Sequence, residues 1–274
     1  MHRIAGLFAI ALAISSGGVR AAPPTPVIVE LFTSEGCSDC PPADTLLEKL
    51  IATQPVPGAE IIGLGQHVDY WDRLGWKDRF SSAALTSRQQ LYQARFGTES
   101  IYTPQMVVDG RAELVGSDAT AARKAIERAL TAPHGVVNVD VALRRASPEL
   151  GVSSGERRRE SPALQIYVSV TDLPPLAHGD RADVVVLVTE NGLRTDVKRG
   201  ENHGRTLSHA PVVRYLATIG QIADEASPRA SARAEIPLAA DWQGDHLAVV
   251  AFVQQVRGRT ILASASVPLK NVRP

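Results

Sequence analysis

The two cysteines of this 274-residue chain stand three positions apart, at Cys37 and Cys40, between a β-branched run and a pair of prolines. Val27–Phe32 reads as a buried strand from its apolar, β-branched content. Pro41 and Pro42 then open a helix, where a missing N–H is tolerated, and Leu46, Leu47, Leu50 and Ile51 form its apolar stripe. After a break at Pro55–Gly58, Glu60–Gly65 reads as a second strand. Strand, helix and strand in that order open a parallel α/β sheet and set the cysteines at a strand-to-helix junction. Two cysteines are too few for a disulfide scaffold or a four-thiolate zinc site.

The spacing predicts a further helix over 81–97, with Leu85, Tyr92 and Phe96 on one face and Gly97 as its stop. Met106–Asp109 is predicted as a strand turning at Gly110, with Glu113–Gly116 as its hairpin partner. Ser117 is placed to cap a helix carrying Ala121, Ala122, Ala125, Ile126, Ala129 and Leu130. Beyond Pro133 the apolar period falls to two. Val136–Val141, Leu164–Val170, Asp183–Thr189, Val212–Thr218, Ala232–Ile236, His246–Val253 and Thr260–Val267 read as short strands with no convincing helix among them. The expected architecture is therefore an α/β domain over 23–131 followed by an all-β antiparallel sandwich over 136–274. Arg144–Pro162 reads as a long hairpin loop, and Arg157–Arg159, flanked by Glu156 and Glu160, as a solvated turn.

Residues 1–22 have the pattern of a secretory signal: His2 and Arg3, an apolar run from Ile4 to Ile14, then small residues to a cleavage point near Ala21 or Ala22. The run is too short to span a bilayer, and no later stretch is long enough, so no membrane span is expected in the mature protein. Lys plus Arg and Asp plus Glu are balanced at 29 each. Losing Arg3 and Arg20 with the leader takes the formal charge from 0 to −2. Neither value suits a nucleic-acid binder, which carries a basic excess. Export, to a periplasm or outside the cell, puts the cysteines where a disulfide persists.

At a helix N-terminus, unpaired N–H groups and the helix dipole favour a thiolate. Cys37 is expected to be the exposed nucleophile, and Cys40, one turn inside, to resolve the mixed disulfide. Against this, Glu35 and Asp39 flank the pair, and Thr33–Glu48 holds no Lys or Arg. Nearby carboxylates disfavour the thiolate, so the expected couple is moderately reducing. Two other readings stay open: a structural disulfide in a non-catalytic binding module, and a thiolate site for copper or zinc completed by a ligand such as His67.

The junction resembles that of thioredoxin-like domains, in which a cis-proline packs opposite the cysteine pair. Tyr102-Thr103-Pro104 lies directly before the Met106–Asp109 strand, where that proline would stand. The resemblance implies that Pro104 is cis and that Thr103 presents its backbone to an extended substrate. More specifically, the chain resembles the secreted, thioredoxin-like domain of unknown function 1223 family. The residues that carry this are Val29–Asp44, His67–Asp72, Leu74-Gly75-Trp76, Tyr102–Gly110, Gly200-Glu201-Asn202, Gly204–Leu207 and Val212-Val213-Arg214. The resemblance implies a thioredoxin-like N-terminal fold and export, with no established substrate.

Seven of the thirteen aromatic residues fall in 67–102, which marks that segment as a specialised insertion. It leaves the second strand at the cysteine end of the sheet, so His67, Asp69 and Trp71 are candidates to line a groove beside Cys37. His67 titrates near neutrality and suits acid–base work in thiol exchange; a packed aromatic lid is the equal alternative. In the second half, Arg205 and His209 belong to a polar cluster, with Asn202, His203 and Thr206, fit to bind an anion or orient the other half. Asp180, Asp183 and Asp196 lack metal-ligand spacing. The leading expectation is thiol–disulfide exchange on protein or small thiols, with no cofactor beyond the Cys37–Cys40 disulfide: Cys37 attacks, Cys40 resolves, and Thr103 and Pro104 position the substrate.

Overall fold

The computed structural model describes residues 23–144, 162–223 and 229–271. The predicted leader over 1–22 and the turn at Arg157–Arg159 lie outside the described residues. Thr25–Thr33 (β1), Pro41–Thr53 (α1) and Ala59–His67 (β2) form the expected strand–helix–strand unit, with β1 and β2 parallel from Thr25↔Ala59 to Thr33↔His67. Ala83–Phe96 (α2) follows, N-capped by the Ser82 hydroxyl and ended by Gly97 at φ 70°. Gln105–Val108 (β3) and Ala112–Val115 (β4) make a hairpin around Asp109-Gly110, and β3 runs antiparallel to β1. Ala119–Leu130 (α3) is capped by Asp118, whose carboxylate accepts the Ala121 N–H, rather than by Ser117.

The second half is β-rich. Its strands are Val136–Arg144 (β5), Ala163–Thr171 (β6), Ala182–Glu190 (β7), Arg194–Asp196 (β8), Thr206–Ser208 (β9), Val212–Ile222 (β10), Ala230–Pro237 (β11), Leu247–Gln255 (β12) and Ile261–Pro268 (β13). All seven strands expected here are present. The short β8–β9 hairpin was not anticipated.

The expected fold class, an α/β thioredoxin-like N-terminal domain followed by a separate all-β antiparallel sandwich, is overturned. A single mixed eight-stranded sheet runs β13-β12-β7-β10-β2-β1-β3-β4 and takes strands from both halves. Its seam is the parallel pairing of β10 with β2 at Val212↔Gly65, where the Gly65 N–H donates to Pro211 O at 2.7 Å. Gly65 makes this approach possible, since a Cβ there would lie 3.2 Å from Pro211 O and 3.3 Å from Ala210 O. Helix α3 does end at Leu130 and β5 does start at Val136, yet the sheet crosses that boundary. A strand edge left open by the first half is closed by hydrogen bonds from the second, as unpaired edge groups require.

Alternation along the strands separates two faces. Val27, Val29 and Leu31 pack with α1 and α3. Ile28 instead shares a core with Ile62, Leu64, Leu85 of α2, Val185, Leu187, Val250, Phe252 and Ile261. That second core spans both halves, so it lies on one continuous, concave face. The other face is covered side by side by α1 with α3 and by the three-stranded sheet β11-β6-β5, whose Leu164, Ile166, Val168 and Ile236 meet Val184, Val186, Val249 and Ala251. The sheet curls enough for Ile261 N–H to reach Asp109 O and Gly135 N–H to reach Leu262 O. At the concave face Glu30 accepts from Arg88 Nε at 2.5 Å and Nη2 at 2.9 Å, and Arg88 Nη1 donates to Gln254 Oε1 at 3.0 Å. Tyr92 and Gln66 also donate to Glu30, completing a buried clamp among β1, β2, α2 and β12.

Candidate functional site

Strand β1 leads into a tight turn in which Cys37 N–H donates to Ser34 O and Cys40 N–H to Cys37 O. Cys37 and Cys40 are disulfide-bonded with their Cα atoms 5.4 Å apart, a normal bridging distance. Cys40 is the N-cap of α1 and not one turn inside it. Pro41 and Pro42 have no N–H, and those of Ala43 and Asp44 both go to Cys40 O. The free helix N–H groups expected to favour a thiolate are therefore largely used up. Both cysteines are only 1 % exposed, so the expected exposed nucleophile is in fact covered.

Part of the packing around the cysteine turn comes from the second half. Hairpin β8–β9 reaches across the sheet end, and its tip places the fully buried Asn202 against the cysteine turn. Asn202 Nδ2 donates to Glu35 O and to Cys37 O, each at 2.9 Å, and its Oδ1 accepts from Arg205 Nη1 at 2.8 Å. Glu201 accepts the Ser38 N–H at 3.1 Å, while Asp39 stands exposed. At the tip, Gly200 has φ 74° and lies so close that a Cβ would be 3.1 Å from Trp76 Cβ. Arg205, predicted as an anion or orienting group, orients Asn202.

From the first half, Trp71 Nε1 donates to Thr103 Oγ1 at 2.8 Å, while its Cβ packs on Gly36. Trp71 thus joins the cysteine turn to the Thr103–Pro104 peptide, which is cis. Gly116 has no room for a side chain, and Pro104 and Ala43 of α1 close on it. Asp69 is directed elsewhere: its backbone N–H and its carboxylate both bond the Thr86 hydroxyl on α2. Tyr70, half-buried, bonds Gln89, and burial pushes its phenol up to about 12.

His67 sits at the end of β2, buried beside Thr33 of β1. Its Nδ1 lies 2.6 Å from Asp78 Oδ2, and its ring meets His209 edge-on with centroids 5.1 Å apart. His209 Nε2 is 3.3 Å from Glu35 Oε1, and Trp76 Nε1 donates to Glu35 Oε2 at 2.7 Å. Asp44 accepts from Thr33 Oγ1 at 2.7 Å. Burial opposes the imidazolium of His67, but the charge and hydrogen bond of Asp78, with Asp44 and Glu35 behind them, prevail and raise its pKa. Asp78 is also pushed up by burial, yet His67 and the N–H groups of Glu35 and Phe80 hold it below the usual carboxylate range. Burial raises Asp44, partly offset by His67 and Thr33.

The structure therefore gathers Cys37, Cys40, Trp71, Thr103 and Pro104 in one region, joined through Glu35 to His67 and His209. The sequence marks Glu35 only as a nearby charge and Asn202 only as part of a polar cluster. It does not single out Asp44 or Asp78: an Asp on a helix's apolar side is a usable signal for Asp44, and nothing local marks Asp78. A surface depression of about 610 Å³, lined by residues of β5, β6 and β11, shares no residue with this site.

Residues 28–254 match the family described as protein of unknown function (DUF1223). The chain belongs to that family. This member's fold is similar to the crystal structure of a protein from Agrobacterium tumefaciens, with 24% identity and a TM-score of 0.62 over 93% of this chain and 99% of the other. It is also similar to HBP35 of Porphyromonas gingivalis, with 15% identity and a TM-score of 0.60 over 93% of this chain and 78% of that one. At these identities the likeness shows the fold alone. No curated protein matches the chain. Among the described residues, no helix is long and apolar enough to cross a membrane.

Proposed function

We propose that this DUF1223 protein is an exported thiol–disulfide oxidoreductase acting through Cys37 and Cys40 on protein or small thiols. The observation that carries the reading is the Cys37–Cys40 disulfide at the N-cap of α1, at the mouth of the β1–α1 turn. In the reducing direction, the Cys37 thiolate attacks a substrate disulfide and releases one substrate thiol. Cys40 then attacks the mixed disulfide, releasing the second thiol and re-forming the bridge, which an external dithiol reduces again. Thr103 and Pro104 flank the approach.

Burial of both sulfurs adds a condition to this chemistry. Substrate reaches them only after the β8–β9 tip lifts, breaking the bonds of Asn202 to Glu35 O and Cys37 O. Glu35, Asp39 and Glu201 ring the pair with acids, and the prolines remove thiolate-stabilising N–H groups, which supports a moderately reducing couple. The expected potential is well below the about −120 mV of a strong periplasmic oxidant.

The same burial favours a second reading, a binding module with a structural bridge. Trapping with Cys40→Ser separates the two. Exchange predicts covalent mixed-disulfide partners and loss of dithiol-dependent reductase activity in Cys37→Ala. Full activity in Cys37→Ala overturns the proposal, and a bridge inert to millimolar dithiothreitol in the folded state supports the binding module.

A further inference from the structure

Two buried polar atoms without a hydrogen bond, Asp44 Oδ1 and His67 Nε2, and Glu35 Oε1, which has only the His209 Nε2 contact at 3.3 Å, belong to residues that line one cavity together with His209. The cavity is about 10 Å³, room for one ion or one water and too small for an organic ligand. One ligand atom each from Asp44, His67 and His209 lies within 4.8 Å of the others. Tetrahedral ligands about 2.1 Å from a zinc ion stand about 3.4 Å apart, so side-chain movements that bring the atoms together by up to about 1.4 Å close the set. His67 is already oriented for this. Asp78 holds Nδ1 at 2.6 Å and leaves Nε2 as the unpaired ring nitrogen, the carboxylate–histidine arrangement that supports metal-bound imidazoles.

A water would bridge the unpaired atoms but would bring no positive charge to the carboxylates. Glu35, Asp44 and Asp78 bring three carboxylates against two imidazoles, all buried. Among the described residues, no Lys or Arg side chain hydrogen-bonds to any of the three. Buried carboxylates in such number call for a cation. Mixed imidazole and carboxylate donors suit zinc and similar divalent ions better than calcium or magnesium.

We infer that Asp44, His67 and His209, with Glu35 beside them, bind a single divalent transition-metal ion of the zinc type. This site is distinct from the thiolates and stands whether or not the cysteines exchange disulfides. The three ligands come from α1, the end of β2 and the residue after β9. A bound ion therefore pins the hairpin that covers the disulfide to the sheet end beneath it.

The test is equilibrium dialysis of the folded protein carrying Cys37→Ser and Cys40→Ser against zinc alone. The expected result is one bound equivalent and a raised Tm. In that background, Asp44→Asn and His209→Gln abolish stoichiometric binding. Asp78→Asn, which replaces the carboxylate that orients His67 and also accepts the Glu35 and Phe80 N–H groups, weakens it by about 10- to 100-fold. X-ray absorption of the zinc-loaded, disulfide-bonded wild type needs no substitution, and it should show nitrogen and oxygen neighbours without sulfur. Absence of binding by the folded cysteine-free protein, binding unchanged in His209→Gln, or sulfur in the zinc shell would each overturn the inference.

Discussion

Asn202 shows how much one side chain can control. Its amide N–H groups satisfy two backbone carbonyls of the cysteine turn, and its own carbonyl is held by Arg205. Asn202→Ala leaves Glu35 O unpaired in a buried place and Cys37 O with only the Cys40 N–H, a loss of about 1–3 kcal/mol. That loss falls on the closed state of the hairpin. Reduction of the disulfide by dithiothreitol, followed by thiol labelling, should accelerate by about ten- to a hundredfold. Asp180 gives a second residue-scale prediction, one set by pH. Burial pushes its carboxyl up, but the N–H groups of Arg257, Arg181 and Gly258 outweigh this and hold it below the usual range. A carboxyl depressed in the folded state adds stability above its unfolded pKa of about 3.9 and loses it as pH falls through the folded value. Asp180→Asn should therefore lower Tm at neutral pH, with the gap to wild type closing below about pH 4.

Among the elements, α2 is held to the sheet by charge as well as by apolar packing. Leu85 meets the concave core, and Arg88 and Tyr92, one and two turns further on, meet Glu30 of β1. Arg88→Met strands the Glu30 carboxylate in the interior and should destabilise the protein by about 3–5 kcal/mol, read from the urea midpoint. Adding Glu30→Met should recover part of that loss, because the cost comes from the unpaired charge. Element existence was largely legible before the fold was known. Leu46, Leu47, Leu50 and Ile51 marked α1 by period, and Leu164, Ile166, Val168 and Val170 marked β6 by alternation. The polar clamp was not legible. Arg88 and Glu30 are 58 positions apart and neither has a local partner that marks it.

For the whole molecule, the decisive contact is the seam between β2 and β10. A methyl at Gly65 would press on the backbone oxygens of Ala210 and Pro211, which have no flexible side chain to yield. Gly65→Val should destabilise by about 1–3 kcal/mol through overpacking, measured as a drop in Tm. Because the concave core draws on both halves, that drop should appear as one cooperative transition by circular dichroism and by tryptophan fluorescence alike. Two resolved transitions would mean that the halves unfold independently. The same seam carries hairpin β8–β9 to the cysteines, since β10 follows β9 directly and its first residue, Val212, pairs with Gly65. The joint between the halves and the cover over the disulfide are thus one piece of architecture.

Local pattern determined a good deal by itself. Side-chain period and proline positions set the strand–turn–helix junction that brings Cys37 within reach of Cys40, and alternation set the strands of the second half. These are short-range consequences of backbone sterics and burial, so they can be read from neighbours in the chain. Which strand closes the edge of β2, and which residues gather around the disulfide, are long-range outcomes. Asn202, His209, His67, Asp44 and Asp78 come from segments far apart in sequence, and no local signal assigns their partners. Tertiary structure decided that the two predicted domains share one sheet, because an open strand edge and a shared apolar face are satisfied best by each other. In doing so it turned an expected exposed cysteine pair into a covered one.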